Sequence, residues 1–262
     1  MSELKDTQNE RDDRQIAIDR VGVKALRFPL MVKDKSGAKQ HTVATVALAV
    51  DLPHQYKGTH MSRFVEVLNS HGNCLSVCDM AGLPAALLEK LEAQRAHVEF
   101  EFPYFISKPA PITGQAGMMD YQVKFDIDAE KDGETIFIVT VMVPVATLCP
   151  CSKAISDYGA HNQRGVVTYS VRFKNPVWIE DLITRVEQSA SCELYSLLKR
   201  PDEKAVTERA YDNPVFVEDL VRNVALASNE DVELLWYRVE AENFESIHNH
   251  NAYAVIENKL DR

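Results

Sequence analysis

Extended and helical periodicities follow one another in this chain in a fixed order, twice over, and that repetition limits the fold more than any single residue. From Ala25 to Val32 and from Thr42 to Val50, Val, Leu and Phe recur around a break at Lys33–Gly37, which predicts a β-hairpin. Phe64, Val65 and Leu68 then begin a helical period that Thr59 or Ser62 can cap. A second helix is predicted over Leu83–His97, with Leu87, Leu88 and Leu91 on one face. Val98–Phe105 and Tyr121–Ile127 read as strands. The second half repeats the order, with strands at Thr135–Val145 and Val166–Phe173. Asn175-Pro176 opens a helix carrying Val177, Leu182, Ile183 and Val186, and Asn213-Pro214 opens another carrying Val217, Leu220, Val221 and Val224. In both, Asn stands as cap and Pro at the first helical position, where a missing N–H costs nothing. Strands at Val232–Val239 and Ala252–Ile256 close the pattern.

The expected class is α+β: two tandem ββααββ units, each an antiparallel sheet with helices on one face. The boundary falls at Glu130–Gly133, giving units at 21–130 and 131–262. The charged segment 1–20 is expected to be disordered, and it has none of the apolar core of a secretory signal. A four-stranded sheet of this kind has open edges, which invite pairing with another copy.

A net charge of −10 argues against a general nucleic-acid or membrane-surface binder. It leaves room for an anionic small ligand, since Lys153 and Arg164 oppose the global sign locally. No apolar run approaches ~18 residues, so no membrane-spanning helix is expected. Five cysteines, an odd number in a long chain, fit a reducing compartment and a cytoplasmic protein.

The chemistry concentrates between two apolar runs, in Cys149-Pro-Cys-Ser-Lys-Ala-Ile-Ser-Asp-Tyr-Gly-Ala-His-Asn-Gln-Arg-Gly165. Almost none of it is core-forming, and a polar loop so placed carries function more readily than packing. A lone cysteine is usually a small buried hydrophobe, but Cys149 keeps company with His161. Thiolate with imidazole suits Zn²⁺ and tolerates Fe²⁺ or Mn²⁺. A third, acidic ligand would leave one position open for water. Ser152, Lys153 and Arg164 can hold a triphosphate, Arg through its fork and Lys as a point charge. His248 and His250, two apart in extended chain, share a face and can serve as metal ligands or as an acid/base pair. Glu218, near the start of its helix, can simply favour the dipole. His71, Cys74 and Cys78 have helical spacing without a second pair to complete a metal site, and Cys192 reads as core. Neither familiar phosphate-binding glycine loop occurs, so a nucleotide would be bound as substrate.

The segment 149–165 resembles the signature of GTP cyclohydrolase I type B, and the resemblance extends from about Arg20 to the C-terminus. It implies two tandem tunnelling-fold (T-fold) modules per subunit. It also implies a homo-oligomer, a tetramer with sites at subunit interfaces, that needs one divalent metal (Zn, Mn or Fe) per site. The implied reaction is hydrolysis of GTP to 7,8-dihydroneopterin triphosphate and formate, the first step of folate and pterin synthesis. The resemblance assigns Cys149, His161 and Glu203 to the metal, although Asp202 and Glu208 lie close in sequence to Glu203. It assigns His248 and His250, with Cys149, to catalysis, and Glu218 to the purine edge. Thr59, His60 and Arg63 form a second polar group that the family carries; His60 and Arg63 are taken as substrate-binding, with no role derived from spacing. Two alternatives remain at this point: a T-fold enzyme using Cys149 as nucleophile, like a deazapurine nitrile reductase, and a non-catalytic metal- or purine-binding protein.

Overall fold

The computed structural model describes residues 6–8, 10–72, 74, 75, 80 and 82–260. Cys78 lies outside them, and so does the side chain of Cys74. The chain forms two compact units, Met1–Phe102 with Lys124–Ile138 and Pro103–Val123 with Val139–Arg262.

In the first unit, β1 (Ile18–Lys33) and β2 (Lys39–Leu52) form the predicted antiparallel hairpin, paired from Lys33 opposite Lys39 to Ile18 opposite Leu52 with register shifts between Val23 and Leu26 and between Ile18 and Val21. Gly22 is required there, because a Cβ would come within 1.9 Å of the Leu48 carbonyl oxygen. The short β3 (Cys74–Leu75) runs parallel to β1, and β4 (Arg95–Pro109) pairs antiparallel with β2. With β5 (Ala116–Glu130) the order within this unit is β5-β4-β2-β1-β3. Alternate residues of β2, among them Ala44, Val46, Leu48 and Val50, are buried, as period two requires of a strand with one face to a core. Helices α1 (Met61–Ser70) and α2 (Leu83–Leu91) pack together and bury Phe64, Leu68, Leu83 and Leu87. The predicted second helix was too long. Glu92 turns left-handed (φ 54°) and ends α2, and Arg95–His97 belong to β4.

In the second unit, the parts of β4 and β5 that it contains are joined by β6 (Thr135–Leu148), β7 (Asn162–Phe173), β9 (Leu234–Phe244) and β10 (Ala252–Lys259). The order is β10-β9-β7-β6-β5-β4, with β8 (Cys192–Glu193) antiparallel on β6. The pairs β7–β9 and β9–β10 are antiparallel. Helices α4 (Ile179–Ser189) and α6 (Val217–Glu230) bury the stripes read from the sequence, Leu182, Ile183 and Val186 on one, Leu220, Val221 and Val224 on the other. Both start later than their Asn-Pro pairs. Asn175 instead donates to Glu233, Asn213 caps the preceding helix, and the N-caps are Trp178 and Phe216.

Among the described residues, two further helices were not expected. α3 (Pro150–Ile155) lies inside the polar signature, whose last residues, 162–165, belong to β7. α5 (Arg200–Asp212) buries only Asp202 and Ala210, so it shows no apolar stripe. Its anchor is polar. The buried Asp202 carboxylate accepts from the backbone N–H groups of Ile112, Thr113 and Lys199 and from Thr113 Oγ1, at 2.7–2.9 Å. Burial pushes its pKa up, and these bonds more than offset that, holding it at about 2. Burial also pushes the Cys192 thiol up to about 11, consistent with its place in the core. Among the described residues no helix is long and apolar enough to cross a membrane.

Candidate active site

The site grows from the end of β6. Cys149 caps α3 with extended dihedrals (φ −69°, ψ 114°), and Pro150 occupies the first helical position. Ser152 then fastens the segment. Its N–H points at Cys149 Sγ (3.4 Å), its hydroxyl donates to the Cys149 carbonyl (3.1 Å), and its Oγ accepts from the N–H of His161 (3.2 Å). Gly159, at φ 126°, supplies the turn that brings the chain back. The Cys149 N–H donates to the His161 carbonyl at 3.1 Å, closing the circuit. The backbone that carries the thiol and the imidazole is therefore fixed at both ends, and both residues line one cavity.

His161 is oriented in turn by Gln163 Oε1 (3.1 Å) and Ser246 Oγ (3.2 Å), both at its Nδ1. Gln163 passes its Nε2–H to Glu245 Oε1 (3.3 Å), and Glu245 Oε2 faces His248 Nδ1 (3.4 Å). The rings of His248 and His250 stack at 5.1 Å and 23°. They do so from a bent segment between β9 and β10, not from the extended strand expected. Glu218 arrives on α6, whose lead-in is tied to the same strand end by a bond from Val215 N to the Leu148 carbonyl (3.1 Å). Cys149, His161, Gln163, Glu218, Glu245, His248 and His250 line one cavity of about 270 Å³.

The other expected residues lie elsewhere. Glu203 is exposed in the first turn of α5 and does not line the cavity. The neighbouring acids are committed, Asp202 to its four bonds and Glu208 to Lys204 at 2.9 Å. Lys153 hydrogen-bonds the Tyr211 carbonyl and sits 4.3 Å above the Tyr211 ring. Arg164 is exposed on β7, opposite Phe244. Ser152 uses its hydroxyl within the loop. Thr59, His60 and Arg63 line a separate cavity of about 200 Å³ in the first unit, with His60 Nε2 3.2 Å from Asp6 Oδ2.

Gln163 and Glu245 are the residues that sequence reasoning missed. Glu245 had a signal, since it stands three residues before His248.

The chemistry of the donor set tests whether a metal fits. Cys149 offers sulfur. His161 has Nδ1 engaged, leaving Nε2 as its free nitrogen, the arrangement usual for a ligating imidazole. Cys149 and His161 thus offer one sulfur and one nitrogen donor, with the carboxylates of Glu218 and Glu245 lining the same cavity. A different group, His97, Glu99 and Asp126, has ligand atoms within 4.8 Å of one another. Lys124 already neutralises both of its acids, at 2.9 and 3.1 Å. Size does not identify the site either. A cavity of about 520 Å³ in the first unit has its basic side chains already partnered, Arg20 and His97 by Asp128 and Arg95 by Glu130.

The fold is that of a mainly antiparallel α+β class seen in urate oxidases. The similarity has a TM-score of 0.53 to urate oxidase from Bacillus subtilis 168 (10% identity, 92% of this chain and 98% of that one). It has the same TM-score to uricase from Arthrobacter globiformis (8% identity, 93% and 94%). At such identities the likeness concerns the fold alone. The family is closer. Residues 4–254 match the model of type I GTP cyclohydrolase folE2. GTP cyclohydrolase FolE2 of Akkermansia muciniphila is 65% identical over 262 residues, 99% of each chain. That of Methylobacillus flagellatus is 56% identical over 254 residues, 97% of this chain and 95% of its own. The chain belongs to the type I GTP cyclohydrolase folE2 family.

Proposed function

We propose that the protein is a GTP cyclohydrolase that hydrolyses GTP to 7,8-dihydroneopterin triphosphate and formate, the entry to folate and pterin synthesis. The observation that carries this reading is the meeting of Cys149, His161, Glu218, His248 and His250 in one cavity of a chain from this family.

Cys149 Sγ and His161 Nε2 would hold a divalent metal, and the family resemblance supplies Glu203, which stands outside this cavity, as the third ligand. When bound, such an ion would supply the acidity that turns water into hydroxide near neutral pH. Glu218 binds the guanine edge, its two carboxylate oxygens accepting from N1–H and the 2-amino group. Hydration at C8 and loss of that carbon as formate demand proton transfers, and ring closure demands more. His248, held through Nδ1 by Glu245, presents Nε2 for them, with His250 stacked beside it. Ser152 keeps the ligand loop closed. Lys153 and Arg164 hold the triphosphate, His60 and Arg63 are substrate-binding residues that the family resemblance supplies, and the active form is a homo-oligomer, a tetramer, with sites at subunit interfaces. Two T-fold modules, 21–130 and 131–262, build each subunit. The membership in the cyclohydrolase family favours this reading over a nucleophilic Cys149 or a binding protein. Assay of chelated protein with GTP and single divalent metals, following formate and pterin fluorescence, tests it.

A further inference from the structure

A buried acceptor in the cavity wall has no task in the scheme above. Asn243, on β9, is 2% exposed, and its Oδ1 accepts no hydrogen bond. It lines the same cavity as Glu218. Buried side-chain acceptors are seldom left unsatisfied in native proteins, and an exception in the wall of a binding cavity points to a missing ligand.

The sheet is shaped to keep this amide where it is. Its cross-strand neighbours are Gly165 on β7 and Ala252 on β10, the two smallest residue types, one on each side. A Cβ at Gly165 would stand 2.5 Å from Asn243 Oδ1 and 3.1 Å from the Glu242 carbonyl oxygen. The glycine that closes the signature segment therefore leaves the space that the carboxamide fills.

We infer that Asn243 is a specificity residue, whose Oδ1 accepts the guanine 2-amino N–H that Glu218 does not take. This rests on the proposed function, and the chemistry follows from counting donors. The base of GTP offers three N–H bonds, one at N1 and two on the 2-amino group. A carboxylate engaged side-on uses the N1–H and the nearer amino hydrogen. The remaining base donor is the other amino hydrogen, and Asn243 Oδ1 is a buried side-chain acceptor in the same cavity without a partner. A site built to pair a donor discriminates against an analogue that lacks it, because its own polar group is then left unpaired.

The test compares GTP with ITP, which lacks the 2-amino group, on the wild type, Asn243→Ala and Asn243→Leu. These variants change side-chain volume in different directions, so a loss they share belongs to the amide. Each is expected to lose about tenfold in kcat/KM for GTP with little change for ITP, so that the preference falls about tenfold. Bound metal should stay at the wild-type value, and both variants are compared as folded protein, since each changes packing at a buried position. An unchanged GTP-to-ITP ratio in either folded variant overturns the inference. A wild type that releases no formate from GTP overturns instead the functional reading on which it rests.

Discussion

Glu245 Oε2 faces Nδ1 of His248 at 3.4 Å, while the other oxygen of the same carboxylate accepts from Gln163, which itself holds His161. One half-buried acid thus links the imidazole proposed for the metal to the imidazole proposed for proton transfer. Glu245→Gln should therefore act through His248. We expect kcat to fall about tenfold or more with KM for GTP little changed and metal retained, because proton-transfer groups contribute ~10²–10⁴ in rate and lose much of it when misoriented. Equal loss in kcat and bound metal would make Glu245 a ligand instead.

The metal assignment has its own test. Cys149→Ala and His161→Ala should each lose bound metal and nearly all turnover. Cys151→Ala should be mild, its thiol being exposed and apart from the cavity lining. Glu203→Ala measured beside Glu245→Ala decides the third ligand, since Glu203 lies outside the cavity and Glu245 inside it. Full metal content in Glu203→Ala would remove that residue from the set.

Much of this was legible in the sequence, and the reasons for the remainder are physical. α4 and α6 announced themselves through apolar stripes, and the hairpin through alternation around a Gly turn. α5 could not, because its anchor is one buried aspartate reaching a loop far away in sequence. The Asn-Pro pairs misplaced two helix starts: both Asn side chains are turned to tertiary partners, their Nδ2 groups donating to Glu233 from Asn175 and to the Ala190 carbonyl from Asn213. Cys149 with His161 could be read from spacing and polarity. Asn243 could not, since its importance comes from strand register and burial.

Asp202 gives a pH dependence of stability with a defined sign. Its folded pKa, about 2, lies below the ordinary 3.8. Its contribution is therefore complete above about pH 4 and disappears as pH falls through about 2. Asp202→Asn should lower the melting temperature at neutral pH, and the gap to wild type should close across that window. A gap of constant size down to pH 2 would show that the carboxylate's charge is not what holds the 112–113 loop to α5.

Glu218 separates a helix-dipole role from substrate recognition. Hydrogen bonds to a charged partner contribute about 1.5–3 kcal/mol each, so Glu218→Gln should lower kcat/KM for GTP by about a hundredfold or more and remove most of the preference over ITP, with metal still bound. A dipole role alone would leave nucleotide selectivity as it was and change only stability.

The most direct measurement is formate released from GTP by the wild-type protein, first stripped of metal with a chelator and then given Zn²⁺, Mn²⁺ or Fe²⁺ singly, alongside Cys149→Ala. The stripped protein should release no formate, at least one metal should restore it, and Cys149→Ala should not recover. Formate release that persists without metal, or that Cys149→Ala supports as well as the wild type, would contradict the metal-dependent reading.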